Sequence, residues 1–184
     1  MKIADADILL VPGLGDIPAG HWLNRWREKM ANARFVELPG RHAPVFKAWM
    51  DGLVEAVAEA QRPVVLVAHS LGVLTVAHAA RHFEHGKVRG AFLVAPPDLG
   101  QTDPAPHCDI TGFHPRPTGP LPFTARVVAS RTDPSCAFDT AHKMASDWGA
   151  HFQDAGESGH IDLASGHGPW PDGLISFAYL MKTL

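Results

Sequence analysis

The sequence predicts an α/β protein: a three-layer αβα sandwich around a mostly parallel sheet of about six strands. Three observations carry this expectation. Short apolar runs alternate with segments of helical period along the whole chain, which is the pattern of a parallel sheet covered by helices on both faces. One run, Val64-Val65-Leu66-Val67-Ala68, is apolar without a break and follows Pro63, as expected of a central strand buried on both sides. The stretch Leu71 to Ala77 then begins an apolar helix only two residues beyond that run, leaving a sharp turn at His69-Ser70. With 184 residues and no linker, repeat or low-complexity tract, residues 1–184 read as one domain with enough chain to bury a core.

In chain order, Asp7 to Val11 is a buried strand closed by Pro12-Gly13-Leu14-Gly15. Trp22, Leu23, Trp26 and Met30 recur at helical spacing and predict an amphipathic helix over about residues 20–31. A short strand over 34–38 ends at Pro39-Gly40, and Phe46, Trp49, Met50, Leu53, Val54 and Val57 mark a helix over about 46–61. After the central strand and its helix, residues 88–95 form a strand broken at Pro96-Pro97. From Pro96 to Pro122 the chain places eight of its sixteen prolines and shows no apolar period. This predicts a stiff, extended excursion rather than a helical lid, forming either part of a pocket wall or a solvated loop. Residues 124–130 form a strand, and Ala137, Ala141, Met144, Ala145 and Trp148 form a helical face. Residues 150–155 form a last short strand, and a final helix starts near Pro171 and buries Leu174, Phe177, Ala178 and Met181.

Composition narrows the function classes. The apolar fraction is 46%, the charged fraction 19% and the formal net charge -3, with no basic run. This offers no electrostatic footprint for nucleic acid or an anionic membrane. No apolar run reaches membrane-spanning length and no signal-peptide pattern opens the sequence. Cys108 and Cys136 do not make a disulfide framework. A cytoplasmic protein with reduced thiols is the expectation.

Ser70 is the residue with most to say about chemistry. A serine at a tight strand-to-helix turn is a nucleophile elbow, in which the hydroxyl is pushed out at the sheet's end above a helix N-terminus. The usual string is Gly-x-Ser-x-Gly; here Ala68 holds the first glycine's place and Gly72 the second. A serine needs a base, best a histidine oriented by a carboxylate. Asp133 lies just beyond one later strand and His160 just beyond the next, so both fall on the edge that carries Ser70. The order Ser, Asp, His is that of α/β-hydrolases. The glycine-rich turn after the first strand suits an oxyanion hole, with the N–H of Leu14 opposite that of Leu71. It lacks the third glycine of a dinucleotide site, so no organic cofactor is expected.

Rival residues carry blander readings. His167, also in a glycine-rich loop, is the alternative base. His69 adjoins the nucleophile but faces the other side of its strand, which favours packing. His78, His82 and His85 form a helix stripe without neighbouring ligands, read as a solvated helix end rather than a metal site. Cys136 reads as a buried or half-buried thiol.

Six motifs together carry a resemblance: Pro12-Gly13-x-Gly15 with His21-Trp22-x-x-x-Trp26, His69-Ser70-Leu71-Gly72, Asp133-Pro134-x-Cys136, Gly159-His160-Ile161 and Trp170-Pro171-x-Gly173. The chain resembles the small serine hydrolases of the retinoblastoma-binding-protein-9 / YdeN type from about residue 8 to 180. These are compact α/β-hydrolases without a cap domain. The resemblance implies Ser70 as nucleophile, Asp133 as acid and His160 as base. Ala68 departs from the usual glycine, and Asp162 stands where relatives often carry asparagine. Retinoblastoma binding is not implied, because no Leu-x-Cys-x-Glu string occurs.

The resulting expectation is a serine hydrolase of small acyl esters or amides, with a small-molecule acyl substrate, no metal and no cofactor. Two alternatives remain open on sequence: a protein-binding module that keeps the fold with little turnover, and an acyltransferase or peptidase on the same fold. The oligomeric state is also open.

Overall fold

The computed structural model describes residues 1–100 and 110–184. Six strands form one sheet: β1 (Asp7–Val11), β2 (Ala33–Phe35), β3 (Val64–His69), β4 (Val88–Val94), β5 (Thr124–Ala129) and β6 (His151–Asp154). Their order is β2-β1-β3-β4-β5-β6, and every pairing is parallel. Among the described residues, five α-helices accompany them: α1 (Trp22–Lys29), α2 (Phe46–Glu59), α3 (Leu71–Ala79), α4 (Phe138–Asp147) and α5 (Pro171–Thr183).

Alternation along the strands sends successive side chains to opposite faces. Leu9, Leu66, Leu93 and Val127 pack with α2, α3 and α4. Ile8, Val65, Val67, Phe92 and Val128 pack with α1 and α5, around Trp22, Trp26 and Phe177. Residues Val64 to Ala68 are all fully buried, and each Val or Leu so buried is worth about 1.5–3 kcal/mol. Strand β3 is therefore the anchored centre of the sheet, and the turn that leaves it inherits that rigidity.

Register brings the strand ends to one edge. Val11 pairs with Ala68, His69 with Val94, Val94 with Val128 and Ala129 with Asp154. The chain winds outward from β1 to β2, then in the other direction from β3 to β6. The switch point lies between the carboxyl ends of β1 and β3, where open α/β sheets form their binding crevice.

Several elements differ from the sequence expectations. Helix α1 starts at Trp22, two residues late, because the Nδ1 of His21 accepts the N–H of Leu23 and caps the first turn. Strand β2 is an edge strand that ends at Phe35; Val36 still donates to the Leu10 carbonyl before the chain peels away towards Pro39. On α5 the buried stripe is Gly173, Ser176, Phe177, Leu180 and Met181, and Leu174 is 45% exposed. The helix is rotated because Gly173 sits on the Trp170 ring, so close that a Cβ there would lie 2.2 Å from it.

Of the proline-rich segment, residues 96–100 and 110–122 are described, and the pocket-wall reading can be followed only there. Its described residues pack on the α2–α4 side, with Phe113 fully buried, Ile110 nearly so and Gly112 against Phe46. The Trp148 indole donates to Pro117 and the Leu121 N–H to Trp148. Among the described residues the β4–β5 connection carries only a short 3-10 turn, Thr111–Phe113. Residues 101–109, including Cys108, lie outside the described residues. No helix among the described residues is long and apolar enough to cross a membrane.

Candidate active site

Ser70 occupies the turn from β3 into α3 with φ 55° and ψ -128°, a backbone that costs a non-glycine residue on the order of 1–3 kcal/mol. The neighbourhood holds it there. Its N–H donates to the Val94 carbonyl, and its own carbonyl accepts from Val73. Gly72 explains why the second small position is strict: a Cβ there would lie 2.2 Å from the Val11 oxygen and 2.6 Å from that of Pro12. Helix α3 thus starts directly against the end of β1. Gly13 shows the same closeness from the other side, because its Cβ would meet the Ser70 Cβ at 2.7 Å. The Gly13-Leu14 backbone and the opening turn of α3, whose first N–H groups lack intrahelical acceptors, flank one hydroxyl.

The other two residues arrive from the next strand ends. Asp133 follows β5, and His160 sits in the loop after β6. Ser70 Oγ lies 2.9 Å from His160 Nε2, and His160 Nδ1 lies 2.9 and 3.0 Å from the two oxygens of Asp133. The carboxylate side chain is 3% exposed, and its Oδ1 also accepts the Ser135 N–H at 2.8 Å. A carboxylate at Nδ1 requires the proton on that nitrogen, which leaves Nε2 free to accept from the serine. The geometry is a hydroxyl, a base and an orienting acid in one hydrogen-bonded line.

A cavity of about 420 Å³ opens over this line, with Gly13, Leu14, Ile17, His21, Ser70 and Leu163 among its walls. None of the described residues of the proline-rich segment lines it.

The rival histidines are placed as follows. His167 directs Nδ1 to Ser165 Oγ at 3.3 Å and packs edge-on against Trp170. His78 is buried, with Nε2 3.0 Å from the Phe113 carbonyl and its ring against Phe46. The solvated reading is therefore corrected for His78, which packs, and holds for His82 and His85, which are exposed beyond the end of α3 at Ala79. Among the described residues no group of three or more His, Cys, Asp or Glu could hold a metal ion. Cys136 is buried; burial first, then the negative charges of Asp98 and Asp133, push its thiol up to about 12, so it does not supply a thiolate at neutral pH.

Some supporting residues escaped the sequence reading. Ser130, buried at the end of β5, accepts the N–H groups of Thr132 and Ser158 and donates to the Gly156 carbonyl. It ties the Asp133 turn to the His160 loop. Asp162 Oδ1 accepts the N–H and hydroxyl of Ser165, a turn-building role that asparagine can also fill. His21 and His69 are both buried beside His160. Burial, reinforced by the neighbouring imidazoles, lowers His21 to about 4 and His69 to about 3, so both are neutral at physiological pH. Both belong to motifs that carry the resemblance, and the packing reading of His69 agrees with its burial, but neither motif states what the ring bonds to.

Comparison with known proteins agrees with this architecture. The profile of the family described as serine hydrolase matches residues 8–179. A protein described as a YdeN-like hydrolase from Pectobacterium atrosepticum is 26% identical, with a TM-score of 0.86 over 98% of this chain and 92% of that one. The ydeN gene product of Bacillus subtilis shares the fold at 17% identity, with a TM-score of 0.75 over 95% of this chain and 98% of that one. A carboxylesterase from Bacillus cereus does so at 14% identity and a TM-score of 0.61, over 100% and 91% of the two chains. No functionally curated protein matches the chain.

Proposed function

The chain belongs to the serine hydrolase family, and we propose that it cleaves small acyl esters or amides through Ser70, His160 and Asp133. The observation that carries this reading is the unbroken hydrogen-bond line from Ser70 Oγ through His160 to Asp133, every step 2.9–3.0 Å. Ser70 Oγ attacks the carbonyl carbon while its proton passes to His160 Nε2, and Asp133 stabilises the imidazolium that forms. The backbone N–H groups of Leu14 and Leu71 receive the developing oxyanion. When the tetrahedral intermediate collapses, His160 gives its proton to the leaving alcohol or amine, and the acyl group stays on Ser70. Water, activated by the same imidazole, then releases the acid. The cycle uses no cofactor.

The cavity favours short acyl groups. It is modest in volume, and Leu14 and Leu163 stand partly exposed at its wall, so a long chain would run into solvent rather than into a tunnel. A chain-length series of p-nitrophenyl esters is expected to peak at short chains; a marked rise towards long chains would count against this acyl preference. The nucleophile is tested with a fluorophosphonate probe, expected to label Ser70. Ser70→Ala is expected to lose labelling and at least about 10³-fold in kcat/KM with an unchanged circular dichroism spectrum. Labelling that survives in that variant would assign the chemistry to another residue.

A further inference from the structure

We propose that His69 is a positioning residue that holds the backbone of the base-bearing loop against the nucleophile's own strand. The inference rests on the reading of His160 as the base. His69 Nε2 lies 2.9 Å from the main-chain oxygen of His160. A carbonyl oxygen can only accept, so the proton sits on Nε2 and His69 donates. The ring is 6% exposed and packs within 5.0 Å of His160, 5.2 Å of His21 and 5.9 Å of Trp22, centroid to centroid.

A second donor grips the next residue. The Trp22 indole N–H donates to the Ile161 carbonyl at 2.9 Å. Ile161 has φ 50°, a left-handed backbone that is a genuine outlier for a β-branched side chain. Such strain persists only where the surroundings over-determine it, and here two consecutive carbonyls are each held by a buried ring N–H from a different element.

The consequence is a second link between nucleophile and base. The direct link, Ser70 Oγ–H to His160 Nε2, is lost as soon as the serine carries an acyl group. The link through His69 involves no reacting atom, so it keeps the imidazole in place while water is activated for the second half-reaction. With one residue bonding the loop and its chain neighbour attacking the substrate, the spacing between them is set by a single peptide unit.

The test compares His69→Phe, which keeps the ring packing without the donor, with His69→Gln, whose amide N–H reaches about as far as Nε2. Two readouts are used: kcat and KM on a p-nitrophenyl ester, and the far-downfield proton resonance of the His160 Nδ1–H···Asp133 bond. His69→Phe is expected to lose roughly 10–100-fold in kcat, the scale of a small misplacement of a reacting group. KM should stay within about twofold, and the resonance should broaden or vanish. His69→Gln is expected to recover most of both. If His69→Phe does not fold, His69→Leu takes its place. Wild-type kcat with an unshifted resonance in the donor-less variant would overturn the proposal, and so would equal losses in both variants in step with their stability. If the wild type cleaves no ester, the reading of the site as a hydrolase fails separately, and the resonance still decides whether His69 positions the loop.

Discussion

Asp133 shows how one residue can decide the protonation pattern of its neighbour. Both its oxygens face a single imidazole nitrogen while it is almost fully buried. In Asp133→Asn the amide can present an N–H to Nδ1 and so favour the tautomer with the proton on Nε2, which cannot accept from Ser70. The expected result is a fall in kcat of about 10⁴-fold, as for the same exchange in serine proteases, with a melting temperature within a few degrees of the wild type; steady-state kinetics and thermal melts check it. At this scale Ser70, Asp133 and His160 could be named from sequence, because a polar residue just beyond an apolar run marks a strand end. The buried donors His69 and Trp22 could not be given their roles. Their partners, the carbonyls of residues 160 and 161, lie more than ninety residues away in the chain, and a backbone acceptor leaves no trace in side-chain identity.

Element packing separates glycines that look alike in sequence. Gly72→Ala would drive a Cβ into two backbone oxygens, and neither β1 nor α3 has room to retreat, so a loss of about 3 kcal/mol or more is expected. Gly86→Ala meets nothing within 4 Å and carries only the penalty of φ 77°, about 1–2 kcal/mol. Urea unfolding midpoints of the two variants should rank in that order. On α5, Leu180→Ala is expected to cost about 2–5 kcal/mol and Leu174→Ala less than about 0.5 kcal/mol, measured in the same way. The helical period of α5 was readable, but the phase of its buried stripe was not. A rotation of one residue leaves the periodicity unchanged, and the contact that sets it, Gly173 on Trp170, forms only in the folded helix.

For the whole molecule, the two buried histidines link stability to acid. His21 and His69 titrate near 4 and near 3 in the native state against an ordinary 6.5. Above about pH 6.5 both states are neutral there and no term arises. Below it the unfolded chain binds protons that the folded chain refuses, so stability falls with falling pH until the native values are passed. His69 alone contributes a slope of up to about 1.4 kcal/mol per pH unit, and His21 adds in the same direction. Chemical denaturation between pH 7 and 4 is expected to show this decline, and His69→Gln should flatten it; a stability that stays level from pH 6.5 to 4.5 would contradict the assignment.

The order and type of the elements, the parallel sheet and the identity of the central strand follow from the sequence alone. Apolar periodicity and breakers are local properties, and a doubly covered parallel sheet has few other ways to bury them. The tertiary structure alone decided the order of the strands in the sheet and where the described residues of the proline-rich segment pack. It also decided which ring N–H groups hold the strained loop beside the serine. Those outcomes depend on distances between groups far apart along the chain, and such distances exist only once the sheet has closed its register.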